Sequence, residues 1–236
     1  VTRAANFNDA LRSYWDVRDA QSLTGTGEGS GAAVRGGRHF DALQLLVASV
    51  FLDAGFGPGQ LFTGRNATLP GYFRPTKDWD LIVVDGRTLV AAFELKSLAG
   101  PSFGNNFNNR TEEAIGNATD LWRAAGHGSL GAVKPWLGYF FLIEDAEASR
   151  RPVSNRVRSG EIAAELHGLS YQERAKNLCR RLKSENLYDA VCFAASSRNP
   201  ADAPCDPIPD LSWDAFVAAI EARITFLGAL GSGSDR

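Results

Sequence analysis

Residues 80–96 read Asp80-Leu-Ile-Val-Val-Asp-Gly-Arg-Thr-Leu-Val-Ala-Ala-Phe-Glu-Leu-Lys96. Two apolar, β-rich runs flank the turn signal Asp85-Gly86, so the stretch predicts a β-hairpin. Strand side chains alternate faces, which sends Glu94 and Lys96 to one side and Phe93 and Leu95 to the other. A charged pair therefore closes a strand whose Ala91–Leu95 portion is apolar enough to be central in a sheet.

Two charges in that position cost desolvation energy unless something compensates, and a divalent cation with a phosphate is one such compensation. Hydrolysis of a phosphodiester needs a hard cation on oxygen ligands, an activated water and neutralisation of charge at phosphorus. Asp80 and Glu94 would supply the carboxylates. Lys96 would hold or deprotonate the water and offset the developing charge. The competing structural reading is a Glu94–Lys96 salt bridge at the exposed end of an edge strand, worth about 0 to 1 kcal/mol.

Register sets a condition on this reading. A two-residue Asp85-Gly86 turn pairs Val84 with Arg87 and Asp80 with Ala91, leaving Asp80 on the face away from Glu94. The chemistry requires an odd-length loop such as Asp85-Gly86-Arg87, or a bulge, to bring Asp80 opposite Ala92 and beside Glu94. Asp78 has the same parity and is the alternative ligand.

Outward from the hairpin, helical periodicity predicts a helix over Phe7–Ala20 and a core helix over Arg38–Ala54 ended by Gly55. Between them the glycine- and serine-rich stretch Thr24–Gly37 reads as a surface loop. After the hairpin come an Asn-rich loop, Gly104–Asn109, and a helix from Arg110 to about Ala125 with a Thr111 cap. An apolar central strand over Leu137–Ile143 follows. A basic connector, Arg150–Arg158, leads to a helix over Ser170–Glu185, a strand over Tyr188–Ala194, a proline-rich loop, and a last helix opening at Ser212. This order predicts one α/β domain over residues 1–236, with an N-terminal helical segment and a central mixed sheet flanked by helices.

The chain has 236 residues, 44% hydrophobic and 22% charged, which suits a packed core and excludes a disordered chain. Net charge is −2, so any nucleic-acid surface must come from local clustering. Cys179, Cys192 and Cys205 form no C-x-x-C pair, which excludes a zinc knuckle and leaves buried thiols of a reducing compartment. No run is long enough for a membrane span and Val1–Asp9 has no signal-peptide pattern, so a cytoplasmic location is expected. His39, His127 and His167 lack metal-ligand spacing and receive no role.

Asp80, then Glu94-Leu-Lys96, resembles the PD-(D/E)xK nuclease signature. The block Glu94-Leu-Lys-Ser-Leu-Ala-Gly-Pro-Ser-Phe-Gly-Asn-Asn-Phe-Asn-Asn-Arg-Thr-Glu-Glu-Ala-Ile-Gly116 is similar to the signature block of XhoI-type type II restriction endonucleases. Trp15 with Arg18-Asp19, Gly36-Gly37 and Lys77-Asp-Trp-Asp-Leu81 echo the same family, and Leu98 departs from it where a glutamine is the rule. The resemblance implies a restriction-endonuclease-like fold and a homodimer that cuts both strands of double-stranded DNA at the palindrome CTCGAG with Mg²⁺. It also implies a partner DNA methyltransferase acting on the same site.

Asn pairs with adenine and Arg with guanine in the major groove, so Asn105, Asn106, Asn108, Asn109 and Arg110 are candidate base readers. The alternative is that the asparagines form turns and cap the next helix. Arg150, Arg151, Arg156 and Arg158 cluster in an otherwise acidic chain and are candidate phosphate contacts. Two other functions fit the same residues: a repair or recombination nuclease of this fold, and a DNA-binding module with a vestigial nuclease site.

Overall fold

The computed structural model describes residues 3–24, 38–131, 133–199, 201–202, 204 and 208–231. The expected surface loop, apart from Thr24, most of the proline-rich loop, Cys205 and the last five residues lie outside them. The elements are α1 (Arg3–Thr24), a 3₁₀ turn (Arg38–Phe40), α2 (Asp41–Asp53), β1 (Leu61–Thr63), β2 (Thr68–Pro70), β3 (Thr76–Asp78), β4 (Leu81–Asp85) and β5 (Thr88–Leu98). They continue with α3 (Phe103–Gly126), β6 (Trp136–Glu144), the short α4 (Glu147–Arg150), α5 (Tyr171–Ser184), β7 (Ala190–Ser196) and α6 (Trp213–Gly231).

Five strands form a mixed sheet in the order β1-β4-β5-β6-β7, with β1, β4 and β5 antiparallel and β5, β6 and β7 parallel. Each face of the sheet carries its own core. On one side Phe93, Leu95, Phe140 and Cys192 pack against α1, α2 and α6; on the other Ala92, Phe141 and Phe193 pack against α3 and α5. This is the expected α/β sandwich. β6 is buried from Trp136 to Ile143, as a parallel strand covered on both faces must be. Gly138 of β6 has no side chain because the Phe93 ring fills its place: a Cβ there would come within 2.5 Å of that ring.

The hairpin is where the sequence expectation is refined. Gly86 and Arg87, not Asp85 and Gly86, are its turn residues, since Asp85 pairs with Thr88. Gly86 takes φ 59°, a backbone region that two-residue hairpin turns use and that glycine enters without steric cost. Val84 then pairs with Leu89, but Val83 pairs with Ala91, so Val90 is a β-bulge. Leu89 faces the α3 core, whereas Val90 and Ala91 both face the opposite core, and alternation resumes at Ala92. Beyond the bulge Leu81 pairs with Phe93, which sets Asp80 across from Glu94. The partner is Glu94 and not Ala92, yet the required parity is met.

A second correction concerns residues 104–109, expected as a loop. They form the opening turns of α3, and Thr111 is no cap, its hydroxyl bonding back to the Phe107 carbonyl at 3.0 Å. Local asparagine preference is overridden by packing: Phe103 stacks on Tyr171 with ring centroids 5.8 Å apart, and Phe107 lies beside the same ring. β7 begins two residues later than expected, and β1, β2 and β3 were not anticipated because three-residue strands carry too short a pattern. Among the described residues no helix is long and apolar enough to cross a membrane.

Candidate active site

β5 is the middle strand of five, so Glu94 is carried into the interior and is 2% exposed. That removes the reading of Glu94 and Lys96 as an exposed edge pair. Glu94 Oε2 accepts from Lys77 Nζ at 2.7 Å, and Oε1 accepts from Asn117 Nδ2 at 3.1 Å and pairs with Lys96 Nζ. Burial pushes Glu94 toward its neutral form, but Lys96 and Lys77 together outweigh it and hold the carboxyl below its ordinary range.

Asp80 stands across the ladder, its Oδ2 accepting the Leu95 main-chain N–H at 2.7 Å. Its pKa is raised to about 6, first by burial and then by the charge of Glu94, with Lys96 only partly offsetting them. Burial disfavours the Lys96 ammonium, but Glu94 and Asp80 more than restore it, so Lys96 stays protonated. Asp78 is exposed on β3, where the Thr68 hydroxyl bonds it, and does not join the pair.

Glu94 is held through a relay that sequence reasoning missed. Asn117 Oδ1 accepts from Arg74 Nη2 at 2.7 Å, and Arg74 Nε bonds Asp120 Oδ2 at 2.8 Å. Asp120 Oδ1 in turn accepts the main-chain N–H groups of Tyr72 and Phe73 at 2.8 and 2.7 Å, tying residues 72–74 to α3. A signal was present: Asn117 and Asp120 are polar residues among the buried Ala114, Ala118, Leu121 and Ala124 of one helix. Buried polar groups in such a stripe must be satisfied by something.

Asp80, Lys96 and Ser97 line a cleft of about 250 Å³ at the carboxyl end of β5, walled by Arg18, His39, Asn106 and Arg110. The site is thus at the carboxyl ends of the parallel strands, where open α/β sheets place ligands. His39, given no role from sequence, is held edge-on to Tyr14 at 5.2 Å. Burial, with Arg18 and Arg110 nearby, lowers its pKa to about 4, so the ring is neutral at physiological pH.

The other predicted contacts are dispersed. On α3, Asn106 and Arg110 are one turn apart and face the cleft, Asn105 and Asn109 are exposed elsewhere, and Asn108 lines a groove against α5. Arg150, Arg151, Arg156 and Arg158 are all exposed and none lines the cleft; Arg150 pairs with Asp145 at 2.6 Å. The family echoes Trp15, Arg18 and Asp19 have distinct places. Trp15 Nε1 bonds Ser196 Oγ at 3.0 Å, Arg18 reaches the cleft, and Asp19 pairs with Arg198.

A family model described as Restriction endonuclease XhoI matches residues 20–204, a span that includes Asp80, Glu94 and Lys96. The chain belongs to the XhoI restriction endonuclease family. It is 44% identical over 180 residues to "Type II restriction enzyme XhoI" of Xanthomonas vasicola, covering 73% of this chain and 72% of that one. It is 35% identical over 222 residues to "Type II restriction enzyme BstVI" of Geobacillus stearothermophilus, covering 91% of this chain and 99% of the relative. "Type II restriction enzyme AbrI" of Azospirillum brasilense is 50% identical over 116 residues, 48% of this chain and 52% of its own. There is no significant match among solved structures. As a member of this restriction endonuclease family the protein is a type II site-specific deoxyribonuclease.

Proposed function

We propose that the protein cleaves both strands of double-stranded DNA at the palindrome CTCGAG by Mg²⁺-dependent phosphodiester hydrolysis, with Asp80, Glu94 and Lys96 as its catalytic residues. The observation that carries the site assignment is the pairing of Asp80 with Glu94 on one face of the sheet, with the Lys96 ammonium on the Glu94 carboxylate.

The donor set fits the cation. Asp80 and Glu94 offer hard carboxylate oxygens, and the upward shift of Asp80, caused first by burial and then by the charge of Glu94, is one that an additional cation would relieve. Among the described residues no group of three or more His, Cys, Asp or Glu converges, so the pair is not part of a closed protein cage. Mg²⁺ commonly binds in this way, through one or two carboxylates, waters and the substrate phosphate. When bound, it supplies Lewis-acid polarisation of the phosphate and a lowered pKa for water.

The residues of the chain do the rest. Asn117 and Lys77 fix the Glu94 carboxylate, and the Leu95 N–H fixes that of Asp80. Lys96, with a partly exposed side chain at the cleft, donates to the attacking water and opposes charge gathering on the phosphate oxygens. Asn105, Asn106, Asn108, Asn109 and Arg110 contact the DNA from α3, and Arg150, Arg151, Arg156 and Arg158 contact its backbone. Symmetry of the site suits a homodimer, with a methyltransferase protecting the same sequence in the cytoplasm.

Incubating a plasmid of known sequence with the protein in Mg²⁺, then in EDTA, and mapping the ends tests this reading. Discrete fragments ending within CTCGAG are expected in Mg²⁺ only. An intact plasmid in Mg²⁺, or cuts without a common sequence, overturns it.

A further inference from the structure

We infer that Arg18, His39 and Arg110 form a receptor for the DNA backbone phosphate next to the one that is cut. The inference rests on the nuclease reading above and names a part of the same cleft that the catalytic residues leave unused.

Three separate elements converge there. Arg18 comes from the later part of α1, His39 from the 3₁₀ turn that precedes α2, and Arg110 from the second turn of α3. All three line the cleft that Asp80 and Lys96 also line. Nothing in the core requires this meeting, since α1 and α3 lie on opposite faces of the sheet and come together only beyond its carboxyl edge.

Two of the three groups have bonding capacity left over. His39 Nδ1 and Arg110 Nε are buried without a hydrogen-bond partner, although Arg110 pairs through Nη1 with Glu113. Buried polar groups are rarely left unmatched, because each forfeits its bond to water; in its Nδ1–H tautomer the neutral His39 ring is a donor. A ligand that presents several acceptor oxygens and negative charge would satisfy both, and a phosphodiester does so. Arginine is suited to that task, having a planar fork of donors. Tyr14 packs edge-on against the His39 ring and its hydroxyl accepts from Arg18 Nη1 at 3.3 Å, so one side chain places two of the three groups.

The placement separates this function from catalysis. Asp80 and Lys96 reach the cleft from the sheet, whereas Arg18 and His39 wall it from α1 and the 3₁₀ turn. A phosphate seated on that wall would fix the strand and present its neighbour to Asp80 and Lys96. Arg18, His39 and Arg110 are therefore positioning residues.

The test uses short duplexes carrying the mapped cleavage site, in which single phosphates flanking the scissile one are replaced by neutral methylphosphonates. Single-turnover cleavage in Mg²⁺ at subsaturating protein is measured. With wild-type protein, one flanking replacement is expected to slow cleavage by about 10- to 100-fold, the worth of a charge-assisted contact. In Arg18→Ala and His39→Ala, folded by circular dichroism, the unmodified duplex is cut more slowly and that same replacement has little further effect. Equal slowing by the replacement in wild-type and variants, or no sensitive flanking phosphate in the wild-type protein, overturns the inference. Variants that alter base preference while the phosphate effect persists also overturn it, assigning the wall to base reading. Failure of wild-type protein to cut the unmodified duplex is a separate outcome that overturns the nuclease reading itself.

Discussion

Asp80 accepts the main-chain N–H of Leu95 at 2.7 Å, so the carboxylate is fastened to the strand segment that lies between Glu94 and Lys96. The bond fixes its position, but burial and Glu94 still raise its pKa to about 6. A folded-state pKa above the unfolded value near 3.9 means that the fold favours the protonated acid. The favourable contribution is present below about pH 4 and is lost as pH rises through about 6, at a cost on the order of 3 kcal/mol. Asp80→Asn keeps an acceptor for Leu95 without the charge. Thermal unfolding without divalent ions should show the variant melting about 5 to 10 °C higher than wild type at pH 8, with the gap closing at pH 4. A gap that does not change with pH would mean that charge is not the cause.

Lys96→Ala should retain specific DNA binding and lose cleavage by a factor of about 10² or more, as expected when a group that stabilises transition-state charge is removed. Gel shift and single-turnover cleavage separate the two. Loss of binding together with cleavage would make Lys96 structural.

Asn117 touches Glu94 but not the cleft, and it also receives Arg74. Asn117→Ala should raise the Mg²⁺ concentration needed for half-maximal cleavage by about 10- to 100-fold, the usual cost of removing an outer partner of a metal-binding carboxylate. A Mg²⁺ titration of the cleavage rate measures this. An unchanged midpoint would show that the relay from Asp120 does not act through Glu94.

The bulge at Val90 makes its own prediction. Deleting Val90 removes the bulge but leaves Asp80 opposite Glu94, so cleavage should survive. Deleting Val90 and Ala91 together takes Glu94 out of its place opposite Asp80 and should reduce cleavage to background. Both variants are compared by plasmid cleavage, and equal inactivity of the two would count against the register argument.

Gly138→Ala should destabilise the fold by about 1 to 3 kcal/mol, the usual range for overpacking a core. The added methyl would meet Phe93 on one side and Phe216 at 3.1 Å on the other. Chemical denaturation measures the loss.

Where a long apolar period existed, the sequence revealed the architecture. The core helix before Gly55, the fully apolar β6 and the capped α5, with Ser170 accepting from Glu173, carried their own signals. Asp80, Glu94 and Lys96 were legible as chemistry, but not how they meet. That depends on Val90, and a valine in a bulge looks like any other valine in a strand. The opening of α3 was misread because Asn-Asn-Phe-Asn-Asn is locally turn-forming, while Phe103 and Phe107 obtain their partner from Tyr171, far along the chain. His39 was passed over because its neighbours Arg18 and Arg110 come from distant elements, and only folding assembles the cleft.

Hairpin tips usually tolerate changes of length, because an added residue there simply widens a surface loop. The ladder that runs from that tip to Asp80 does not have that freedom. Val90 is the one unmatched residue between Asp80 and Glu94: its loss alone leaves the two opposite each other, whereas any further gain or loss in one strand has to be matched in the other. Relatives that keep this pair are therefore expected to vary in the length of the turn between Asp85 and Thr88 and to change the two strands in step.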